Sequence, residues 1–450
     1  MASPRFRDTG RFVRRTPSAK VLRPTTLNDL MRCFDPANRA ATPIRVRGSG
    51  SSSTDCNENT TGTIVETIGL DRILKIDNYY HTVTVQAGVR LGTLVSELAK
   101  QGLELDGNLD QMERTVGGAV ASPCMGPGIG SRSTYLSSQA ISMKLVTPTG
   151  KLMKVTQQQK HLLNTVRLSY GMLGAIYEVT LRVRPIATFS AKHRSMDIDT
   201  FANVVDRLAC RDVGMKFCLL PHKDRLYLDL RRYEDAPGNA WDTPWKIKDW
   251  GESTVLPNVF RSLNRVMPIP AVKYRLMDGI SAATHGLVNT RFVRNGNNVT
   301  ASGRRRRRTP RNVLHSTWCF PATDFSLVIK AFRDFCRQTL EGGGYRSDLP
   351  IMGYRVAQDT SAVLSPSFDE PLVALRVSST VEKGWEDFVI DLAQFAENWG
   401  GTPLFNQSRA MRAEYGKQIY ANRLAFFRKI REQLDPQKRL LNPFLAQCFE

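Results

Sequence analysis

"IRVRGSGSSSTDCNE", residues 44–58, decides how the rest of the chain is read. Its first four residues extend as a strand that ends in the turn Gly48-Ser49-Gly50. Three serines, Thr54 and Asp55 follow. A run this rich in glycine and hydroxyls cannot pack as a core strand. It is built to let backbone N–H groups close on an anion, with hydroxyl donors beside them. A tight turn with no ligand is the plainer alternative. The loop is neither a G-x-G-x-x-G dinucleotide fingerprint opening a helix nor a G-x-x-x-x-G-K-[ST] phosphate loop, so Rossmann and P-loop folds are disfavoured.

Working outward, a second glycine cluster, "TVGGAVASPCMGPGIG" at 115–130, again interrupts extended sequence with residues small enough for close backbone approach. Between the loops, alternation over 82–86 predicts a strand, and Leu91, Leu94, Val95 and Leu98 have the spacing of a helix over 91–100. Upstream, "AKVLRPTTLNDLMRCF" reads as a short strand, a proline stop and a helix capped by Thr26 or Asn28. Downstream, "ISMKLVTPTGKLMKV" reads as a hairpin around Thr149-Gly150, and "YGMLGAIYEVTLRVRP" as a glycine turn feeding a strand that stops at Pro185. Together these predict an α+β arrangement with helices packed on a sheet.

Composition sets the class. The chain has 450 residues, 41% apolar and 23% charged, which suits a globular protein of two or three domains. The formal net charge of +21 attracts anions: phosphate-bearing ligands, nucleic acid, acidic carriers or anionic lipid. A solvated basic surface is the plainer reading. The eight cysteines are scattered, the six histidines dispersed, and there is no HExxH, so neither a metal site nor a disulfide framework is expected. No apolar run approaches the roughly 18–20 residues of a membrane span. The basic start, residues 1–17, lacks an apolar core and is not a secretory signal. An organellar transit peptide would share its composition, but sheet-like sequence begins almost at once, so the expected compartment is the cytoplasm.

Taken in order, "RVRGSGSS", "TVQAGVRLGTLVSEL", "RTVGGAVASPCMGPG", "SSQAISMKLVTPTGK" and "YGMLGAIYEVTLRV" resemble the FAD-binding (PCMH-type) domain of vanillyl-alcohol-oxidase-type flavoproteins, closest to the sugar-lactone and alditol oxidases. "LDPQKRLLNPF" at 434–444 is similar to that family's closing DPxxxxxNP signature. The resemblance implies a two-subdomain FAD-binding domain over 1–186, an α+β substrate (cap) domain with an antiparallel sheet over 187–395, and a C-terminal segment, 396–450, returning to the first domain. It implies that Arg47, Gly48, Ser49, Gly50, Ser51 and Ser52 meet the FAD diphosphate. Thr115, Gly117, Gly118 and Ser122 form a second wall, Cys124 falls beside the expected isoalloxazine, where it reads as a buried thiol rather than a flavin linkage, Gly174 and Ile176 bracket the adenine side, and Asn442 belongs to the same set. Many lactone oxidases carry G-x-G-H-S in the first loop, with the histidine bonded to flavin. Here Ser51 stands at that position, and no other histidine falls near either loop in the sequence, so FAD is expected to be non-covalent.

Flavin oxidation of a C–H bond needs a base or acceptor for the substrate proton and a positive charge near the reduced flavin. In the resembled family a Glu-x-Arg strand and a GGxPHWGK segment supply polar groups. Here "IMGYRVAQDTSAVLSP" (351–366) offers Arg355, with Gly353 in place of the glutamate, while Tyr354 should point to the other face of the strand. "GGTPLFNQ" (400–407) keeps Gly400, Gly401 and Pro403 but has Leu404 for the histidine and Gln407 for the lysine. Arg355 and Gln407 are the catalytic candidates, with Tyr415 and Lys417 as further sources of a phenol and a cation. The base is left unassigned.

In the cap domain, "TFSAKHRSMDIDTFANVVDRLA" reads as a strand and a helix capped near Asp199 or Thr200, "GMKFCLLPHKDRLYLDLRRYE" as a strand pair, and "NVLHSTWCFPATDFSLVIKAFRDFCRQTL" as a strand and an amphipathic helix. Residues 236–313 are poorly patterned and contain the run Arg304 to Arg308, a solvated loop or a docking site for an acidic partner or surface. No aromatics interleave with it, so nucleic acid is not expected as a partner. The reading is an FAD-dependent oxidoreductase moving a hydride from a C–O or C–N bond of a small substrate, anionic or carrier-bound, that is not a simple aldonolactone. Two others stay open: a sugar-lactone, alditol or glycosyl-lipid oxidase with a rebuilt site, and a basic binding protein whose FAD is structural or lost.

Overall fold

The computed structural model describes residues 19–38, 40–106, 111–130, 135–235, 243–295 and 313–450. The basic start at 1–17 and the Arg304 to Arg308 run lie outside the described residues. Strands β1 (Lys20–Leu22), β2 (Ile44–Arg47) and β3 (Thr63–Glu66) form a parallel sheet in the order β1-β3-β2. Helix α1 (Leu27–Phe34) follows β1 and starts at Thr26, whose side chain accepts from the Asp29 N–H while the Asp29 carboxylate returns a bond to the Thr26 backbone.

A second sheet holds β4 (Ile73–Asp77), β5 (Thr82–Gln86), β6 (Leu103–Leu105), β7 (Ala140–Val146), β8 (Leu152–Thr156) and β9 (Ala175–Pro185). Its order is β4-β5-β9-β7-β8, with β6 pairing the end of β9. Helices α2 (Leu91–Lys100), α3 (Val116–Ala121) and α4 (Lys160–Val166) bury Leu94, Leu98, Val120 and Leu163 in the core this sheet builds. The predicted strand at 82–86, the helix at 91–100, the hairpin at Gly150 and the strand ending at Pro185 all form there.

The third sheet is antiparallel throughout. It contains β10 (Thr188–Met196), β11 (Gly214–Leu220), β12 (Arg225–Tyr233), β13 (Arg291–Asn295), β14 (Leu314–Pro321), β15 (Ile351–Val356), β16 (Leu372–Ser379) and β17 (Thr402–Pro403), in the order β13-β10-β12-β11-β15-β16-β14-β17. One face is covered by α5 (Ile198–Ala209), with Phe201 against Phe217 of β11, and by two helices later in the chain, residues 325–341 and 385–398. The antiparallel pairing is the one expected for this domain.

Two local expectations are corrected. The cap of α5 is Asp197, whose carboxylate accepts from the Thr200 N–H at 2.7 Å, rather than Asp199 or Thr200. The unpatterned stretch contains three helices, α6 (Thr243–Trp250), α7 (Leu256–Val266) and α8 (Pro270–Gly286). Pro270 sits in the first turn of α8, where the missing N–H costs nothing, and Pro257 sits where the π-helical turn Gly251–Val255 passes into α7. These helices lie over the sheet's other face, where Trp245 meets Phe189 and Phe292, and His285 meets Tyr227. The remaining helices are α9 (Phe325–Glu341), α10 (Trp385–Asn398), α11 (Tyr415–Leu434) and α12 (Pro443–Phe449). Among the described residues no helix is long and apolar enough to cross a membrane, and no cluster of side chains could hold a metal ion.

Candidate functional site

The two glycine loops face each other across a cleft of about 570 Å³ open to solvent. Gly48 and Ser52 line it from the first loop, Gly117, Gly118 and Ser122 from α3 and its end, and Gly174 and Ile176 from the start of β9. The glycines let the walls close. A Cβ at Gly48 would lie 2.0 Å from Thr115 Oγ1, and one at Gly117 would lie 2.7 Å from the Ala87 Cβ. At Gly174, with φ +151°, it would lie 2.6 Å from the Val146 carbonyl oxygen. Gly118 differs: its Cβ would meet only Thr115 Oγ1, at 3.1 Å, so this side of α3 is open to a ligand.

The cleft also carries charge. Arg45, 1% exposed, lines it and donates to the carbonyls of Cys56, Leu440 and Tyr170. Burial lowers its pKa to about 10, which leaves it charged at neutral pH. A buried cation held by neutral carbonyls projects positive potential into the cleft. The Asn57 Oδ1, also in the wall, is buried without a protein partner. Small walls, a buried cation and an orphaned polar atom fit the diphosphate-bearing FAD that the sequence implies.

Several expected cofactor residues shape this cleft from behind. The Arg47 guanidinium binds Glu58 and Glu66, each at 2.6 Å. Thr115 Oγ1 accepts from the Gly118 N–H at 3.3 Å, starting α3. Asn442 caps α12 through the Leu445 N–H and donates to the carbonyls of Asp55 at 2.7 Å and Glu58 at 2.8 Å. Cys124 is buried in the core. Ser49 is half-buried on the outer turn, where Gly50 and Ser51 are exposed.

Beyond the cleft the loops meet the segment after β17. The Ser53 N–H and hydroxyl donate to the carbonyls of Asn406, at 3.1 Å, and Gln407, at 2.8 Å. Asn406 Nδ2 donates to Ser122 Oγ at 3.3 Å and to the Pro123 carbonyl at 3.1 Å. Gln407, 3% exposed, accepts from Thr317 Oγ1 at 3.1 Å and donates to the same Pro123 carbonyl at 3.4 Å. So Gln407 stands where the first loop, the second loop and β14 converge.

The other catalytic candidates lie elsewhere. On β15, residues 351, 353 and 355 point toward the covering helices. A Cβ at Gly353 would sit 2.0 Å from Phe217 Cζ, and Arg355 Nε donates to the Ala209 carbonyl at 2.7 Å, at the end of α5. Tyr354 faces the opposite side, as its strand position requires, and accepts from Arg376 Nη2 at 2.9 Å. Tyr415 donates to Glu397 Oε1 at 2.6 Å and packs edge-on to Trp318 on the helix side. Lys417 is exposed. None of the described contacts of Arg355, Tyr415 and Lys417 is with Gln407, while Arg355 Nη1 donates to the carbonyl of Gly130, at the end of the second glycine cluster, at 3.4 Å.

Sequence reasoning missed what does share that face. Alternation along β14 puts His315 and Thr317 on one side, and Thr317 lies opposite Arg376 of β16. Arg114, 3% exposed, donates to the Pro123 carbonyl at 2.8 Å and so joins the Gln407 junction. His315 is more than 180 residues from either loop, so sequence proximity could not find it. Only the alternation in "LHSTWCF" signals that it shares a face with Thr317.

Comparisons with known proteins agree with this architecture. Residues 18–156 match the FAD binding domain family, and residues 179–448 match the D-arabinono-1,4-lactone oxidase family. The chain is 24% identical over 432 residues to an L-gulono-1,4-lactone dehydrogenase of Mycobacterium tuberculosis, covering 95% of each chain. It is 21% identical over 439 residues to an L-gulonolactone oxidase of Scyliorhinus torazame, covering 95% of this chain and 94% of the relative. Among solved structures, a variant of cholesterol oxidase from Brevibacterium sterolicum superposes with a TM-score of 0.73 at 13% identity, covering 96% of this chain and 94% of that one. A chitooligosaccharide oxidase superposes with a TM-score of 0.66 at 14% identity, covering 96% and 91%. At these identities the structural matches carry the fold alone.

Proposed function

Since the chain belongs to the D-arabinono-1,4-lactone oxidase family and is an FAD-dependent oxidoreductase, we propose that it takes a hydride from a C–O or C–N bond of a small substrate that is not a simple aldonolactone. One observation carries this reading. Gly353 packs under Phe217, Met352 and Tyr354 on the other face of β15 pack with Cys218 and Tyr227, and Arg355 Nη1 donates to the Gly130 carbonyl at 3.4 Å. In either register the strand offers no carboxylate where the resembled family has Glu-x-Arg. When bound, FAD supplies the hydride acceptor. The chain's own part is to orient the substrate with Gln407, which Thr317 and the Pro123 carbonyl hold in one rotamer, and to place the Arg376 charge nearby through Tyr354.

The test is anaerobic mixing of the flavin-loaded protein with candidate donors while the flavin's visible absorbance is followed. Bleaching by an alditol, sugar acid or amine, but not by aldonolactones, is expected. A sugar-lactone reading is the alternative, favoured by the near full-length match to an L-gulono-1,4-lactone dehydrogenase. Preferential bleaching by L-gulono-1,4-lactone would establish it and overturn the first.

The same proposal holds FAD without a covalent bond. Ser51 occupies the histidine position of the first loop, and no histidine lines the cleft among the described residues. Acid precipitation should leave a yellow supernatant, and a yellow pellet would refute this. A cytoplasmic location is part of the reading too. All eight cysteines are free thiols, as a reducing compartment allows, and cell fractionation checks it.

A further inference from the structure

Beside Gln407, outside the cleft, lies a set of polar groups that includes one orphaned acceptor. His315 Nε2 is buried without a hydrogen-bond partner. The Val313 backbone supports the ring's protonated nitrogen, which is therefore Nδ1, so Nε2 presents a lone pair. Arg376 of β16 lies opposite Thr317, two residues along β14 from His315, and Arg114 donates to the same Pro123 carbonyl as Gln407; the charges of these two arginines and of Arg409 act on the ring. Burial, and then these charges, hold the imidazole pKa down to about 3, so the ring is neutral at every physiological pH. Arg409 lies 3.6 Å from Glu386, and Arg376 donates to the Tyr354 hydroxyl. Arg114 has a carbonyl partner, while its Nε is buried with none.

An unpartnered acceptor beside one buried guanidinium, Arg114, and a half-buried one, Arg376, asks for a ligand that donates one hydrogen bond and carries negative charge. A neutral lactone brings no such charge. A hydroxy carboxylate brings both groups on one small molecule.

We infer that His315, Arg114 and Arg376 form the recognition site for a carboxylate-bearing polyhydroxy substrate, with the carboxylate at the two arginines and the reacting hydroxyl donating to His315 Nε2. This rests on the oxidoreductase reading above and names the substrate class for the same site. The reaction is then the conversion of a secondary alcohol to a ketone. The C–H bond breaks and its hydride goes to FAD, the O–H proton passes to Nε2, and the C–O bond becomes C=O. Two electrons leave the substrate and two reach the flavin. The bound carboxylate offsets the arginine charges that depress the imidazole, so the base strengthens when the anionic substrate arrives.

The probes are gluconate and sorbitol, which share a carbon chain and differ at one end in charge. Binding to flavin-loaded protein is measured by titration calorimetry without oxygen, and flavin bleaching by stopped flow. Gluconate should bind about tenfold or more tightly than sorbitol. Arg114→Met should remove that preference, and Arg114→Lys should restore part of it. His315→Gln should leave gluconate affinity within about threefold and slow bleaching by about 100-fold. Equal affinity for the two probes, or a preference that survives both Arg114→Met and Arg376→Met in proteins with normal flavin content, overturns the anion site. Unchanged bleaching in His315→Gln overturns the role of the imidazole. The binding arm does not depend on turnover. A protein that prefers gluconate, but whose flavin no donor reduces, therefore refutes the proposed function and leaves the anion site standing.

Discussion

Gly118 and Gly353 show how single positions set this site. At Gly118 the only near neighbour of an added side chain is Thr115 Oγ1, and the space beyond is the cleft. Gly118→Trp should fold with a melting temperature close to that of the flavin-free wild type yet retain almost no FAD, read as the flavin-to-protein absorbance ratio. Normal occupancy would remove the second loop from the cofactor site. Gly353 is glycine for the opposite reason: the Phe217 ring fills the place of its side chain. The glutamate that the family pattern suggests there could not be accommodated without moving the core. Arg355, two residues on, inherits the same orientation and donates to the carbonyls of Ala209, Gly130 and Val213.

The DPxxxxxNP segment acts as a structural clamp. Asp435 accepts from the backbone N–H groups of Arg439, at 2.9 Å, and Leu440, at 2.8 Å, closing the turn after α11. That turn presents the Leu440 carbonyl to Arg45 in the cleft wall, and Asn442 then grips the carbonyls of Asp55 and Glu58 while capping α12. One side chain so joins the last helix to the far end of the first loop. Asn442→Ala removes a cap and two part-buried bonds to the carbonyls of Asp55 and Glu58, and should cost about 2–3 kcal/mol in urea unfolding. FAD should dissociate faster from it, seen as a quicker rise in free-flavin fluorescence on dilution. A variant as stable as wild type would mean that the clamp is redundant.

Across the whole molecule, burial depresses four of the six histidines. His193 and His222 are lowered to about 4, and His285 and His315 to about 3. Each is neutral in the folded state and takes up a proton on unfolding below the ordinary histidine pKa of about 6.5. The unfolded chain then binds more protons than the folded one, so stability is fully present above that pH and falls as pH drops toward 4. For fully covered His193 and His285 the loss between pH 7 and pH 5 is about 2 kcal/mol each. Asp229 and Glu252, beside them under α6–α8, are held well below the carboxylate range by Arg231 and by Lys216 respectively, against the opposing effect of burial, and add to the loss only below about pH 4. Urea unfolding at pH 7 and pH 5 checks this. A midpoint that does not fall would place these rings in water.

The sequence by itself determined where the two glycine loops fall. Glycine spacing, hydroxyl content and the order of the strands around both loops are local properties, so the cleft residues Gly48, Ser52, Gly117, Gly118 and Ser122 were legible before any coordinates. The hairpin at Gly150, α2 and the antiparallel third sheet were legible for the same reason, because period and turn chemistry act within a few residues. The grouping around Gln407 was decided by tertiary structure. Gln407 stood out in its own segment, but His315, Arg114 and Arg376 come from three others, and nothing local in them marks a shared site. Which face of β15 meets the second loop depends on Phe217 filling the space over Gly353, a contact between strands 136 positions apart. A strand's pattern shows that its side chains alternate, but only packing against the rest of the chain chooses which set is turned toward the site.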